Sequence, residues 1–203
     1  MPSSPSPRAV LLVVSGPAGV GKTTLCERMV TSFLGISRFV TTTSRPPRPG
    51  EEDGVDYHFL DRAEFERRIA AGAFLEYANV HGNLYGTPRA QVVEALEAGH
   101  DLLFNIDVEG AQNYRRAAEQ DPVIRERLVT VFIRPVSLDQ IRTRLEARGA
   151  DDAASITRRL QTAERELAVA ESFDHQIVSG TREADFAALQ AIYEAAKAGP
   201  RAD

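Results

Sequence analysis

Residues 15–24 read SGPAGVGKTT, placing Gly16, four further residues and then Gly21-Lys22-Thr23 in a row. That spacing is the phosphate-binding P-loop pattern. Glycines let the backbone curl until successive N–H groups point inward at phosphate oxygens, and the N-terminus of a following helix adds its dipole. Lys22 brings a charge for β- and γ-phosphate oxygens, and the Thr23 hydroxyl is a candidate Mg²⁺ ligand. The expected nucleotide-phosphate contacts are Gly16, Pro17, Ala18, Gly19, Val20, Gly21, Lys22, Thr23 and Thr24. A P-loop alone leaves GTPase, ATPase and kinase open.

Further stretches hold groups that do chemistry. FNID (104–107) ends on Asp107 after an apolar run. Ligands and metals sit at the carboxyl ends of strands in open α/β folds, although an aspartate there also caps a following helix. VTTTSRPPRPGEEDGVDYHF (40–59) sets Arg45 and Arg48 among three prolines, which by itself describes a stiff polar surface loop. RTRLEARGADDAASITRRL (142–160) is arginine-rich, and such a charge run is ordinarily a solvated face.

Composition narrows the classes. The chain has 203 residues, 43% hydrophobic and 26% charged, with a formal net charge of −5. One good core fits that length, and no global field favours nucleic acid or anionic membrane. The single cysteine, Cys26, excludes an intramolecular disulfide and a cysteine-rich zinc site. It suits a reducing cytoplasm, and its place one turn into the predicted helix assigns it to packing. The four histidines are scattered without metal-ligand spacing. No apolar run approaches the ~18 residues of a membrane helix. MPSSPSPR lacks an apolar segment of the kind a secretory signal needs, and residues 1–7 are expected to be a disordered tail. No obligate protein partner is evident.

The elements that must position these groups are readable from periodicity. AVLLVV (9–14) is a continuous apolar run, the pattern of a strand buried on both faces of a parallel sheet. A helix over 23–33 follows. RFVTTT (38–43), VDYHFL (55–60) and FLEYANV (74–80) read as strands, and DRAEFERRIAAG (61–72) as a capped helix. HGNLYG reads as a turn, after which Thr87-Pro88 opens a helix as cap and first residue. Strands over 102–108, 128–133 and 175–179 alternate with helices over 109–119, 137–148, 152–171 and 183–197. This alternation predicts an α/β fold with a parallel sheet, interrupted over 38–87 by short, closely spaced strands of a mostly antiparallel lobe.

In order and spacing, SGPAGVGKTT, TTTSRPPRPGEEDGVDYHF, FLEYANVHGNLYGTP, NIDVEGA and RLEARG…SITRRL resemble guanylate kinases over about residues 9–180. The resemblance implies a three-layer α/β/α P-loop core (8–37 and 88–203), a GMP-binding lobe (38–87) and a helical lid over about 142–162. It implies Mg²⁺-dependent phosphoryl transfer from ATP to GMP or dGMP. Arg45, Arg48, Tyr57 and Tyr85 would grip the GMP phosphate, guanidinium forks and phenol hydroxyls being suited to it. Glu76 would accept from the adjacent donors of guanine, with Thr41 and Thr87 contacting the base. Asp107 would approach both the base and the metal-bound water. Arg144, Arg148 and Arg159 would close on the transferring group, with Arg142, Arg158 and Arg165 left as surface charge. Three positions depart from the commonest family pattern: Asn105 where an acid is usual, Glu109 for a glutamine, and Ser179 where an asparagine holds adenine. Two rivals are a non-catalytic phosphopeptide-binding module and a sugar-phosphate kinase. The intact P-loop argues against the first, and the Thr41, Glu76, Thr87 set against the second.

Overall fold

The structure, a computed structural model, describes residues 8–80, 82–148 and 152–199. The tail expected over 1–7 lies outside the described residues. In chain order the first elements are β1 (Leu11–Ser15), α1 (Lys22–Ser32), β2 (Ile36–Arg38), β3 (Thr42–Thr43), β4 (His58–Phe59) and α2 (Arg62–Ala70). Then come β5 (Phe74–Val80), β6 (Asn83–Pro88), α3 (Arg89–Glu97), β7 (Asp101–Asn105), α4 (Val108–Gln120) and α5 (Pro122–Arg127). The chain finishes with β8 (Leu128–Arg134), α6 (Leu138–Arg148), α7 (Ala153–Ala168), β9 (His175–Val178) and α8 (Arg182–Ala198).

Every residue of β1 is buried, and successive strand side chains go to opposite faces. Leu11 and Val13 enter a core with Val92 and Leu96 of α3 and Ala111 and Tyr114 of α4. Leu12 and Val14 enter a second core with Leu25 and Met29 of α1 and Leu189 of α8. A strand apolar on both faces needs helices on both, which gives the three layers. The sheet runs β2-β7-β1-β8-β9 with every pair parallel, so the predicted α/β class holds. Helices α6 and α7 share a small core of their own around Ile141, Leu145, Ile156 and Leu160.

A second sheet, β4-β3-β6-β5, stands beside the first. It is mixed: β3–β6 and β5–β6 are antiparallel, whereas β3–β4 is parallel. The segment predicted as one strand over 38–43 is divided between the sheets, Arg38 ending β2 and Thr42 opening β3. The turn expected over HGNLYG gives way to strand, because Asn83 to Pro88 form β6; His81 lies outside the described residues. Gly86 lies mid-strand, where an added Cβ would stand 3.0 Å from the Phe65 and Phe74 rings. Those rings stack at 4.4 Å over it, so the glycine serves close packing rather than a bend. Thr87 consequently caps nothing; Pro88 precedes α3 without a side-chain cap. Helix α5 escaped the sequence reading, although Asp121-Pro122 announces it: Asp121 accepts from Val123 N at 2.9 Å and Ile124 N at 3.3 Å.

Helix α8 is fastened to the sheet by Asp101, which is 1% exposed. Its carboxylate accepts from Val10 N at 2.8 Å, Tyr193 Oη at 2.5 Å and Lys197 Nζ at 2.9 Å. Removing one partner of a buried ion pair strands the other charge, at a typical cost of about 3–5 kcal/mol. Asp101→Ala is therefore expected to lose about 3 kcal/mol or more in a urea titration, and a loss below about 1 kcal/mol contradicts this account of the fastening.

Candidate functional site

The turn after β1 is forced open by glycine. Gly16 has φ 136°, and a Cβ there would lie 2.2 Å from the carbonyl oxygen of Ile133 in β8, a contact no side chain tolerates. Gly19 and Gly21 also take positive φ (86° and 112°), and Gly21 stands at the N-terminus of α1. The backbone thus wraps into a concavity opening on a helix N-terminus, the form that receives phosphate. Lys22 folds over the loop, its Nζ donating to the carbonyl of Gly16 and to Pro17 O at 3.0 Å. Burial lowers the Lys22 pKa, against the pull of Glu166, Cys26 and Asp107. Cys26 is itself buried, which pushes its thiol up to about 12, so it packs rather than reacts.

Asp107 occupies the N-cap of α4 and accepts from Gly110 N at 2.7 Å, so the capping reading holds. It is exposed all the same, and its charge acts on Lys22, Glu76 and Glu166 together. It therefore stands between the phosphate loop and the side sheet. Asn105 donates from Nδ2 to Thr23 Oγ1 at 3.3 Å, placing that departure against the candidate metal ligand. Glu109 lines a groove between β5 and α4 with Phe74, Glu76, Arg89 and Asn113.

The side sheet and the segment after β3 hold the residues expected to form the phosphate clamp. Arg45 is 8% exposed, with its guanidinium 5.2 Å above the Tyr57 ring, and Tyr57 packs edge-on against Tyr85 at 5.8 Å. Its Nη1 and Nη2 donate to the two oxygens of Glu51 at 2.6 Å each, and Nη1 also donates to Pro46 O at 3.0 Å. Nε donates to Tyr85 Oη at 3.3 Å. A guanidinium has five N–H groups, so the remaining one is on Nη2, on the edge it shares with Nε and facing Tyr85. Glu51 also accepts from Arg48 N at 2.8 Å, while the Arg48 residue is exposed. The Arg45 hydrogen bonds, with that of the Arg48 amide, hold the Glu51 carboxyl down at about 2. Glu51 was given no role from sequence; the Gly-Glu step after the arginines was the available signal.

Glu76 lies on β5 opposite Thr87 of β6. Burial raises its pKa, partly offset by the hydrogen bond Thr87 Oγ1 donates to Glu76 Oε1 at 2.8 Å. Thr41 is half-buried ahead of β3, its carbonyl accepting from His58 N at 2.8 Å.

Arginines of α6 and α7 reach the loop. Arg144 donates to Val20 O at 2.7 Å and to Ser179 Oγ at 3.4 Å. It lines a cavity of about 520 Å³ with Gly19, Gly21, Thr24, Gly180 and Asp185. Ser179 Oγ donates onward to Asp185 Oδ2 at 3.2 Å, and Asp185 also accepts from Gly180 N at 2.8 Å. Arg159 lines a smaller cleft with Ala18 and Glu166, and Arg158, read from sequence as surface charge, lines it too. Glu166 was not foreseen; burial raises its pKa against the charge of Lys22. Arg148 ends α6, and its side chain lies outside the described residues.

A P-loop on a parallel sheet, with a buried arginine and a half-buried carboxylate on an adjoining sheet, is the arrangement of a P-loop phosphotransferase. The comparisons narrow that class. The guanylate kinase family profile matches residues 8–196. The guanylate kinase of Symbiobacterium thermophilum is 43% identical over 95% of this chain and 88% of its own. That of Caulobacter vibrioides is 42% identical over 93% of this chain and 85% of its own. The crystal structure of guanylate kinase from Anaplasma phagocytophilum superimposes with a TM-score of 0.70 at 30% identity, covering 96% of this chain and 89% of that one. A gluconokinase from Sinorhizobium meliloti, 17% identical with a TM-score of 0.51, shares the fold alone. The chain belongs to the guanylate kinase family.

The Glu51–Arg45 pair has a pH signature. A carboxyl whose pKa falls from 4.5 to about 2 on folding adds stability that is fully present above pH 4.5 and disappears as pH falls through about 2. Thermal melts of the parent and Glu51→Gln are expected to differ most above pH 4.5 and to converge toward pH 2. A gap that widens on acidification contradicts the pairing.

Proposed function

We propose that the P-loop holds ATP and the side sheet holds GMP or dGMP in one reaction, ATP + GMP ⇌ ADP + GDP. The single observation carrying the site assignment is the half-buried Glu76 carboxylate, fixed by the Thr87 hydroxyl across the β5–β6 pair. Guanine offers N1–H and N2–H₂ as adjacent donors, and a carboxylate is their acceptor. Adenine presents an acceptor at N1, leaving Glu76 buried and unpaired, a mismatch of the kind that discriminates by roughly 10⁴-fold.

The phosphate of GMP would approach the Nε/Nη2 edge of Arg45, taking the place of Tyr85 Oη at Nε, while the Nη1/Nη2 fork stays with Glu51. Tyr85 and Tyr57 would donate their hydroxyl protons to it, Arg48 would close from solvent, and Thr41 would contact the base. On the donor side, Gly16 to Thr24 would cradle the ATP phosphates and Lys22 would leave its loop carbonyls for the β/γ oxygens. The acceptor is a phosphate oxygen, so no strong general base is required and positioning dominates. Arg144, Arg148 and Arg159 would neutralise the equatorial oxygens, and closure of α6 and α7 over about 142–162 would exclude water. Residues 8–37 and 88–203 would then be the core and 38–87 the acceptor lobe.

Magnesium is a hard cation that takes oxygen ligands. The Thr23 hydroxyl suits it, with Asp107 acting through water. Among the described residues no group of three or more His, Cys, Asp or Glu forms a cage, which fits an ion held mainly by nucleotide phosphates and water. When bound, it would supply neutralising charge to the ATP phosphates. Among the described residues no helix is long and apolar enough to cross a membrane. We place the enzyme in the cytoplasm, acting without an obligate protein partner or nucleic acid.

Lys22→Ala tests the division of labour. Turnover in an assay coupled to ADP release is expected to fall by at least about 10³-fold, the scale of losing a preorganised charge from a phosphoryl-transfer site. GMP affinity by calorimetry should stay within about twofold, because Lys22 belongs to the other substrate's site. Turnover near the parent rate contradicts the P-loop role.

A further inference from the structure

Tyr114 takes no part in the reaction as described, yet its hydroxyl ends a directional chain that reaches the base site. The residue is fully buried in α4 and packs on Phe104 with 4.9 Å between ring centroids. Its Oη donates to Thr87 Oγ1 at 2.9 Å, and Thr87 Oγ1 donates to Glu76 Oε1 at 2.8 Å. Proton counting sets the direction. An ionised carboxylate only accepts, and a threonine hydroxyl has one proton. Thr87 spends that proton on Glu76 and so must accept from Tyr114, whose single proton is spent in turn. Burial raises the Tyr114 phenol well above its ordinary range, with the Glu76 charge adding to the rise, so this proton stays in place. For packing alone, phenylalanine would fill nearly the same space; the hydroxyl has to be explained by what it touches.

We propose that Tyr114 is a specificity-determining positioning residue. By donating to Thr87 it locks Thr87 and Glu76 into an edge that only accepts, matched to a purine presenting two adjacent donors. The inference rests on the reading of Glu76 and Thr87 as base contacts. Without the Tyr114 hydroxyl, Thr87 is free to rotate and turn its proton toward the base. The penalty for a purine that lacks one donor then falls. Tyr114 touches no substrate itself and acts through Thr87.

The test is Tyr114→Phe in the full chain, with GMP and IMP competing for ATP in one reaction and GDP and IDP resolved by chromatography. IMP differs from GMP by lacking the 2-amino donor. The GMP:IMP ratio of kcat/KM is expected to fall about fivefold, the scale of one neutral hydrogen bond. KM for GMP should rise by a similar factor, with kcat within about twofold. Both nucleotides compete for the same molecules, so the ratio is independent of the folded fraction, and a purely structural role leaves it unmoved. Thr87→Val is expected to lower the ratio as well, and Tyr114→Phe should add nothing in that background. An unchanged ratio in Tyr114→Phe overturns the inference, as does an equal further drop in the Thr87→Val background. Loss of all turnover in Tyr114→Phe also overturns it, since the role assigned is base discrimination and not folding. Glu76→Gln examines the underlying reading separately. If that variant leaves the ratio unchanged, the base-contact reading itself fails; if it lowers the ratio and Tyr114→Phe does not, only the role of Tyr114 is lost.

Discussion

Two nucleotides that exchange a phosphoryl group must bring like charges together, and the rest of the molecule is organised around that repulsion. Two unit charges 4 Å apart repel by about 4 kcal/mol at an effective dielectric near 20. The chain is itself acidic, with a net charge of −5, so its overall field gives no help. The cations near the loop and the side sheet are local, and three of them are held by specific partners. Lys22 rests on loop carbonyls, Arg45 on Glu51, and Arg144 on the carbonyl of Val20. Such side chains lose little freedom when an anion arrives, which is how fixed charges outperform solvent.

The two sheets divide the task. The parallel sheet provides a rigid strand end and a helix N-terminus, with Gly16 pressed so close to Ile133 that β1, α1 and β8 fix the loop together. The side sheet provides side chains instead of backbone: a guanidinium with its fork committed to Glu51, its Nε to Tyr85 and one Nη2 hydrogen left over, and a carboxylate oriented by a neighbouring strand. Asp107 caps α4 and faces both, so one residue serves the fold and the site. Helices α6 and α7, with a small core of their own, bring arginines to the mouth of the loop.

What was legible in the sequence follows contact distance along the chain. The P-loop turn, the β1 run and the Asp61-capped helix are local patterns, and they stand where the sequence put them. The clamp residues came from resemblance to a family, since nothing in their spacing says what Arg45 holds. Contacts made across the fold left no trace. Tyr114 and Thr87 are 27 residues apart, and Asp101 and Lys197 are 96 apart. Thr87 was misread because Thr-Pro ahead of a helix is also a capping signal, and strand pairing with Glu76 prevailed over it. The division of 38–43 between two sheets is equally silent, because β-branched residues suit either. The Asn105 departure acquired a location, beside Thr23, that sequence alone did not supply.

The central claim is that the side sheet, and not the P-loop, chooses the acceptor. The most direct measurement is the initial rate of ADP formation from ATP with GMP, dGMP, AMP, CMP and UMP as acceptors, under identical conditions. The account predicts turnover with GMP and dGMP and rates lower by several orders of magnitude with the others. A rate with AMP equal to that with GMP would contradict it.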